Sequence, residues 1–93
     1  VQFIVLTRRK TSQFTTEEFA SKYDAEVARA KELYRDGFSR YIWHRADGTG
    51  ACQIVEATDL AEVEKTISTL PFAASGMLDI EIIALKPYAG FHK

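Results

Sequence analysis

The hydrophobic period of this chain switches repeatedly between two and 3.6, and the order of those switches restricts the fold more than any total does. Val1 to Thr7 is a β-branched and aromatic run with apolar residues on both faces, the pattern of a strand covered on both sides. After a connector, Thr15 with Glu18 forms a capping-box pattern, and Phe14 and Phe19 fall where a hydrophobic staple belongs. The spacing predicts a helix from there to about Asp36, with Phe19, Tyr23, Val27, Ala30, Leu33 and Tyr34 as its apolar stripe. Gly37 is placed to cap it. Phe38 to Ala46 reads as a second strand. Asp47-Gly48-Thr49-Gly50 is a tight-turn signal, so Ala51 to Ala57 should return antiparallel as a hairpin. Asp59 with Glu62 repeats the capping logic for a short helix through Leu60, Val63, Ile67 and Leu70, closed by Pro71. Phe72 to Met77 reads as a loop, Leu78 to Leu85 as the last strand, and Pro87, Tyr88 and Gly90 begin a tail.

Strand, helix, strand, strand, helix, strand with right-handed crossovers gives an α+β fold. It is a ferredoxin-like βαββαβ domain whose four-stranded antiparallel sheet carries both helices on one face. The chain shows no internal repeat or low-complexity segment. Ile80, Ile82 and Ile83 leave the last strand apolar on both faces. A wet apolar face of that size normally marks an interface. A second copy covering it would make a dimeric α+β barrel, so a homodimer or higher homo-oligomer is expected.

At 93 residues the chain suits one domain, 1–93, and a domain this small gains stability from pairing. The net charge of -1 argues against nucleic acid as a partner. The run Arg8, Arg9, Lys10 reads as a solvated strand end rather than an anion site. With Cys52 the single cysteine, no internal disulfide can form, and a reducing, cytoplasmic setting fits. No apolar stretch is long enough to span a bilayer, and no secretory h-region is present, so no membrane partner is expected. The chain starts at Val1, which leaves room for a missing initiator methionine or short leader.

The stretch Arg40-Tyr41-Ile42-Trp43-His44-Arg45 concentrates polar and aromatic groups on one strand. That mixture suits a pocket for a small anionic organic molecule. Alternation divides it, with Phe38, Arg40, Ile42 and His44 on one face and Ser39, Tyr41, Trp43 and Arg45 on the other. His44 is a candidate general base, its ordinary pKa lying near working pH, or else a polar residue bonded to backbone or water. Glu56 is the competing base, or a solvated residue near the end of strand three. Arg40 and Arg45 could clamp a carboxylate or lie on the surface. Tyr41 and Trp43 line a pocket or simply pack. Tyr23 and Tyr34 sit on the helix stripe as core, and Tyr23 could lend its hydroxyl to a cavity between helix and sheet. Arg40 and His44 share one face and Tyr41, Trp43 and Arg45 the other, so a site holding Trp43 with Arg40 and His44 needs a bulge or strand end that changes the facing. Cys52 reads as a buried, inert thiol, and His92 as exposed in the tail. No His/Cys/carboxylate cluster has zinc or iron spacing, so no metal or other cofactor is expected. No glycine-rich strand-to-helix loop suggests a nucleotide. An RNA-recognition module would need aromatics on both central strands, and residues 51–57 have none.

From strand two onward the chain resembles the muconolactone isomerase family. The resemblance rests on Arg40, on Trp43 three residues later, on the hairpin length and on Val55 to Ala57. It continues through Leu70-Pro71 and the closing strand Leu78-Asp79-Ile80-Glu81-Ile82. The first strand and helix match in pattern only. The resemblance implies a dimeric α+β barrel, often built into larger rings, and a cofactor-free isomerase acting on a small unsaturated lactone or organic acid. In that reaction a proton leaves the ring carbon bearing a carboxymethyl arm, and one returns beside the lactone carbonyl. Such a reaction needs a base, a cation for the carboxylate and a donor for the dienolate oxygen, and this strand offers His44 as base, Arg40 or Arg45 as clamp, and Tyr41 or Trp43 as donor. The chain departs from the family pattern in having Tyr41 where a histidine stands and His44 where an arginine stands. It also has Arg8-Arg9-Lys10 in place of an acidic, proline-containing segment. The alternatives are a cofactor-independent monooxygenase of the same superfamily, acting on an electron-rich phenol, and a non-catalytic small-molecule-binding dimer.

Overall fold

A computed structural model of the chain describes residues 1–91, and His92 lies outside the described residues. The elements are β1 (Gln2–Arg9), α1 (Thr16–Arg35), β2 (Ser39–His44), β3 (Gly50–Glu56), α2 (Leu60–Ile67), α3 (Pro71–Ala74), β4 (Leu78–Ala84) and a final 3-10 turn, Ala89–Phe91. The sheet order is β2-β3-β1-β4, and every neighbouring pair is antiparallel. This is the ferredoxin-like βαββαβ arrangement with two short added helical turns, α3 and the final 3-10 turn.

The ends of α1 form as the residues dictate. Thr15 Oγ1 accepts from the Glu18 N–H at 3.1 Å, while Glu18 Oε1 accepts from the Thr15 N–H at 2.8 Å. The Phe14 and Phe19 rings meet edge-on, 6.3 Å apart. At the other end Gly37 takes φ 86. The Phe38 N–H bonds the Leu33 carbonyl at 3.0 Å and the Gly37 N–H bonds that of Tyr34 at 3.2 Å, the paired bonds of a Schellman cap. Asp59 caps α2 by accepting from the Glu62 N–H, but the Glu62 carboxylate turns back to Thr58 instead of closing a box.

Two departures from the sequence expectation concern positions near the cavity described below. Pro71 does not only close α2; it opens α3, because its fixed φ and missing N–H suit the first helical position. In β2, register with β3 slips between Ser39 (opposite Val55) and Tyr41 (opposite Ile54), so Arg40 is the extra residue of a bulge. The bulge turns Ser39 inward, where its hydroxyl donates to the buried Gln53 Oε1 at 2.8 Å. Ser39, Ile42 and His44 then share the helix-side face, and Tyr41 and Trp43 take the other.

Phe3, Val5 and Val55 from the sheet pack with Leu33 of α1 and with Val63 and Ile67 of α2. Both helices therefore cover the same sheet face. A second cluster, Phe19, Phe72 and Met77, joins the start of α1 to α3 and to the approach to β4. The opposite sheet face carries Ile4, Leu6, Ile54, Cys52 and Ile83, and among the described residues no helix packs on it. Cys52, expected as a buried thiol, is half-buried there.

Candidate active site

The helix-side sheet face is not filled along its whole length. Between α1 and the end of the sheet where β1 and β2 finish and β3 and β4 begin lies a cavity of about 700 Å³. That volume accommodates a small organic molecule. One face of α1 forms its roof through Tyr23, Glu26, Val27, Ala30 and Tyr34, residues spaced by three and four. Ile42, Trp43 and His44 of β2 form one side. Thr7 and Arg9 of β1, Gly50 and Ala51 of β3, Leu78 of β4 and Phe72 of α3 complete the walls. Most of this lining is aliphatic or aromatic, with a few polar groups at fixed places.

Glu26 is the most chemically distinctive of those groups. Phe72 N–H donates to its Oε1 at 2.9 Å. Burial of the carboxyl raises its pKa above the ordinary value of 4.5. The Phe72 hydrogen bond and the charge of Arg9 pull the other way without cancelling that effect. A carboxyl shifted upward in an apolar cleft is a general acid–base candidate. Arg9 lies near it, its guanidinium carbon 5.1 Å from the Phe19 ring centroid and 5.5 Å from that of Phe72.

Of the residues singled out from sequence, the cavity brings together His44 and Tyr23 and reaches Trp43 at the edge strand, whose ring stacks on Tyr41 on the other face of the sheet. The other four are elsewhere. Arg40, displaced by the bulge, borders a separate shallow depression with Tyr34, Gly37, Ser39 and Tyr41. Tyr41 stacks face to face on Trp43, with centroids 5.5 Å apart and planes 2° from parallel, both rings largely exposed. Arg45 bonds the backbone: its Nε donates to the Thr7 carbonyl at 3.0 Å and ties the hairpin to β1. Glu56 ends β3, where its carboxylate meets the amino group of Val1. It lies five residues along the strand from Ala51, about 17 Å at the usual rise.

Sequence reasoning passed over Glu26 and read Arg9 as part of a solvated strand end, whereas both line the cavity. Both carried a readable signal. Glu26 lies three residues after Tyr23 and four before Ala30, on the helix stripe itself. Arg9 follows Phe3, Val5 and Thr7 in strict alternation, on the face that packs against the helices. Among the described residues no group of three or more His, Cys, Asp or Glu side chains is placed to hold a metal ion, and no helix is long and apolar enough to cross a membrane.

The sequence model of the muconolactone delta-isomerase family matches residues 2–90. Among solved structures, the chain is similar to a muconolactone isomerase crystal structure, with a TM-score of 0.80 and 19% identity over 100% of this chain and 97% of that one. It is also similar to 5-chloro-2-hydroxyhydroquinone dehydrochlorinase from Burkholderia phenoliruptrix AC1100, solved in complex with 2,5-dihydroxybenzoquinone. Here the TM-score is 0.76 and the identity 18%, over 92% of this chain and 94% of that one. No curated protein sequence matches the chain. At these identities the structural likeness speaks for the fold alone.

Proposed function

Since the chain belongs to the muconolactone delta-isomerase family, we propose that it moves a double bond within a small unsaturated lactone or organic acid by proton transfer. The observation that carries this reading is the pairing of an apolar cavity with a desolvated carboxyl, Glu26, in its wall. Such a group can accept a proton from carbon and return it. The substrate ring rests against Val27, Ala30, Ile42 and Leu78. The carboxylate of Glu26 removes the proton from the carbon that bears the acidic arm, and the electron pair delocalises through the ring double bond onto the lactone carbonyl oxygen. Tyr23 or His44 donates a hydrogen bond to that oxygen while it carries negative charge. The proton then returns beside the carbonyl, so nothing is gained or lost overall and the residues named can complete the cycle. Among the polar side chains lining the cavity, His44 is the rival base.

Purified protein mixed with muconolactone should change the lactone's ultraviolet absorbance at a rate proportional to enzyme. Glu26→Gln should slow turnover by about 10²- to 10⁴-fold. If folded protein leaves the lactone unchanged, the reaction is wrong. If Glu26→Gln is as fast as the parent and His44→Ala is not, the base is His44.

One observation favours a second substrate class. The similar dehydrochlorinase was solved with a dihydroxybenzoquinone, and a base in an aromatic-lined cleft can equally deprotonate a phenol. Chloride release from a chlorinated hydroxyhydroquinone, with no action on lactones, would select that reading. For the assembly we propose a homodimer formed through the uncovered sheet face.

A further inference from the structure

The run Arg8-Arg9-Lys10 is divided by strand alternation. Arg8 is exposed on the outer face, while Arg9 turns to the helix side and lines the cavity. The backbone of Arg9 is held from three directions. Its N–H donates to the Thr49 carbonyl at 2.7 Å, its carbonyl accepts from the Thr11 N–H at 2.9 Å, and it pairs opposite Leu78. Its guanidinium lies over both the Phe19 ring, at 5.1 Å, and the Phe72 ring, at 5.5 Å, in the corner where the two rings meet edge-to-face at 5.3 Å. Two aromatic faces hold the group in place without using its N–H donors.

Among the described residues the Arg9 side chain makes no hydrogen bond and no ion pair. Glu26 feels its charge, yet accepts from the Phe72 amide instead. A half-buried guanidinium with five N–H groups uncommitted, facing an apolar cavity, is an incomplete arrangement. A planar monoanion completes it, because a carboxylate matches the guanidinium fork with two parallel bonds. A dianion such as phosphate suits the place less well, since the neighbouring Glu26 carboxylate would repel it more strongly.

We propose that Arg9 is the anchor for a carboxylate carried by the substrate. It holds that group at the phenylalanine-walled end of the cavity so that the attached ring lies alongside Glu26. This rests on the reading of the cavity as the substrate site, and it makes the chain selective for molecules that pair an unsaturated ring with a short acidic arm. Lys31 and Arg35 also line the cavity, but both are exposed on α1 and remain hydrated.

The test uses two probes of one shape, phenylacetate and its neutral isostere phenylacetamide. Binding is measured by calorimetry and by the fluorescence of Trp43, the single tryptophan, which lines the cavity. The parent protein should bind phenylacetate about 10- to 100-fold more tightly than phenylacetamide. Arg9→Met, which keeps a long side chain against the two rings, should abolish the preference and leave phenylacetamide binding unchanged. Arg9→Lys keeps the charge but not the fork and should lose part of the preference. Should Arg9→Met fail to fold, Arg9→Lys decides alone. The anchor is overturned if the parent does not discriminate or binds neither probe, or if either Arg9 variant keeps the full preference. It is overturned too if Lys31→Met or Arg35→Met removes the preference instead. A chain that isomerises the lactone yet ignores probe charge keeps its reaction and loses this anchor. One that selects phenylacetate through Arg9 but leaves the lactone untouched keeps the anchor and loses the reaction.

Discussion

Glu26 is half-buried on a helix that is otherwise well solvated, and that placement has a sign that can be measured. Its native pKa is raised from 4.5, chiefly by desolvation. The folded state therefore binds more protons than the unfolded chain between the two values, and stability falls as pH rises through that window. Below about 4.5 both states hold the protonated acid and the effect vanishes. Glu26→Gln removes the titration while keeping an oxygen to accept from Phe72. We expect its melting temperature to approach or exceed that of the parent as pH rises from about 4.5 to neutrality, with the gap closing in acid. Turnover should run the other way. The parent's rate should climb with pH as Glu26 ionises, and the variant should stay slow throughout. Equal pH dependence of melting in the two proteins would show that Glu26 is not desolvated as described. Glu26 also shows why a site can escape a sequence reading. A glutamate inside an apolar helix stripe reads as solvated unless the stripe is known to face a void, and voids have no sequence signal. Arg9 was hidden in a cationic run whose first member, Arg8, does face water.

At the scale of elements, what was legible was what local chemistry decides. The Thr15–Glu18 box, the Gly37 cap and the Asp47–Gly50 turn each involve residues within five positions of one another, and each formed where the residues dictate. In the turn, the Asp47 carboxylate accepts from both the amide and the hydroxyl of Thr49. The β2 bulge was not legible in place. No glycine or proline marks Arg40; the slip satisfies a distant pair, Ser39 with Gln53, fourteen residues away. Its consequence for the site is large, since it separates Arg40 from His44. Gly50 offers the sharpest test at this scale. A Cβ there would lie 2.0 Å from the Thr7 carbonyl oxygen, an atom of a neighbouring strand that cannot rotate away. The same oxygen accepts the Arg45 Nε–H. Gly50→Ala should therefore push β1 and β3 apart at the cavity floor and cost at least ~2 kcal/mol of stability by urea unfolding. Gly48→Ala, where nothing lies within 4 Å but φ is +76, should cost only about 1–2 kcal/mol. If both substitutions cost the same, the close approach at Gly50 is not as described.

For the whole molecule, the unanswered demand is the second face of the sheet. Four strands of about seven residues project roughly 450 Å², and side-chain relief brings the accessible area toward the ~800 Å² per partner of a stable interface. Ile4, Leu6 and Ile54 lie on the central strands β1 and β3, and Ile83 on the neighbouring β4. The Tyr41–Trp43 stack extends the same surface along β2. On this face Arg8 of β1 stands beside Asp79 of β4, so charges of both signs border the apolar centre, which suits a self-complementary two-fold contact. Ile54 pairs with Ile4 on one side and Tyr41 on the other, which places it near the middle. A lysine there would bury an unpaired charge in a dimer but would be tolerated by a monomer. We therefore expect the parent to sediment as a dimer or a multiple of it at micromolar concentration, with a melting temperature that rises with concentration. Ile54→Lys should sediment as a folded monomer whose melting temperature is lower and independent of concentration. Glu64→Lys, on the exposed side of α2, should behave as the parent does. A parent chain that stays monomeric, or an Ile54→Lys chain that still pairs, would mean that this face is not where two copies meet.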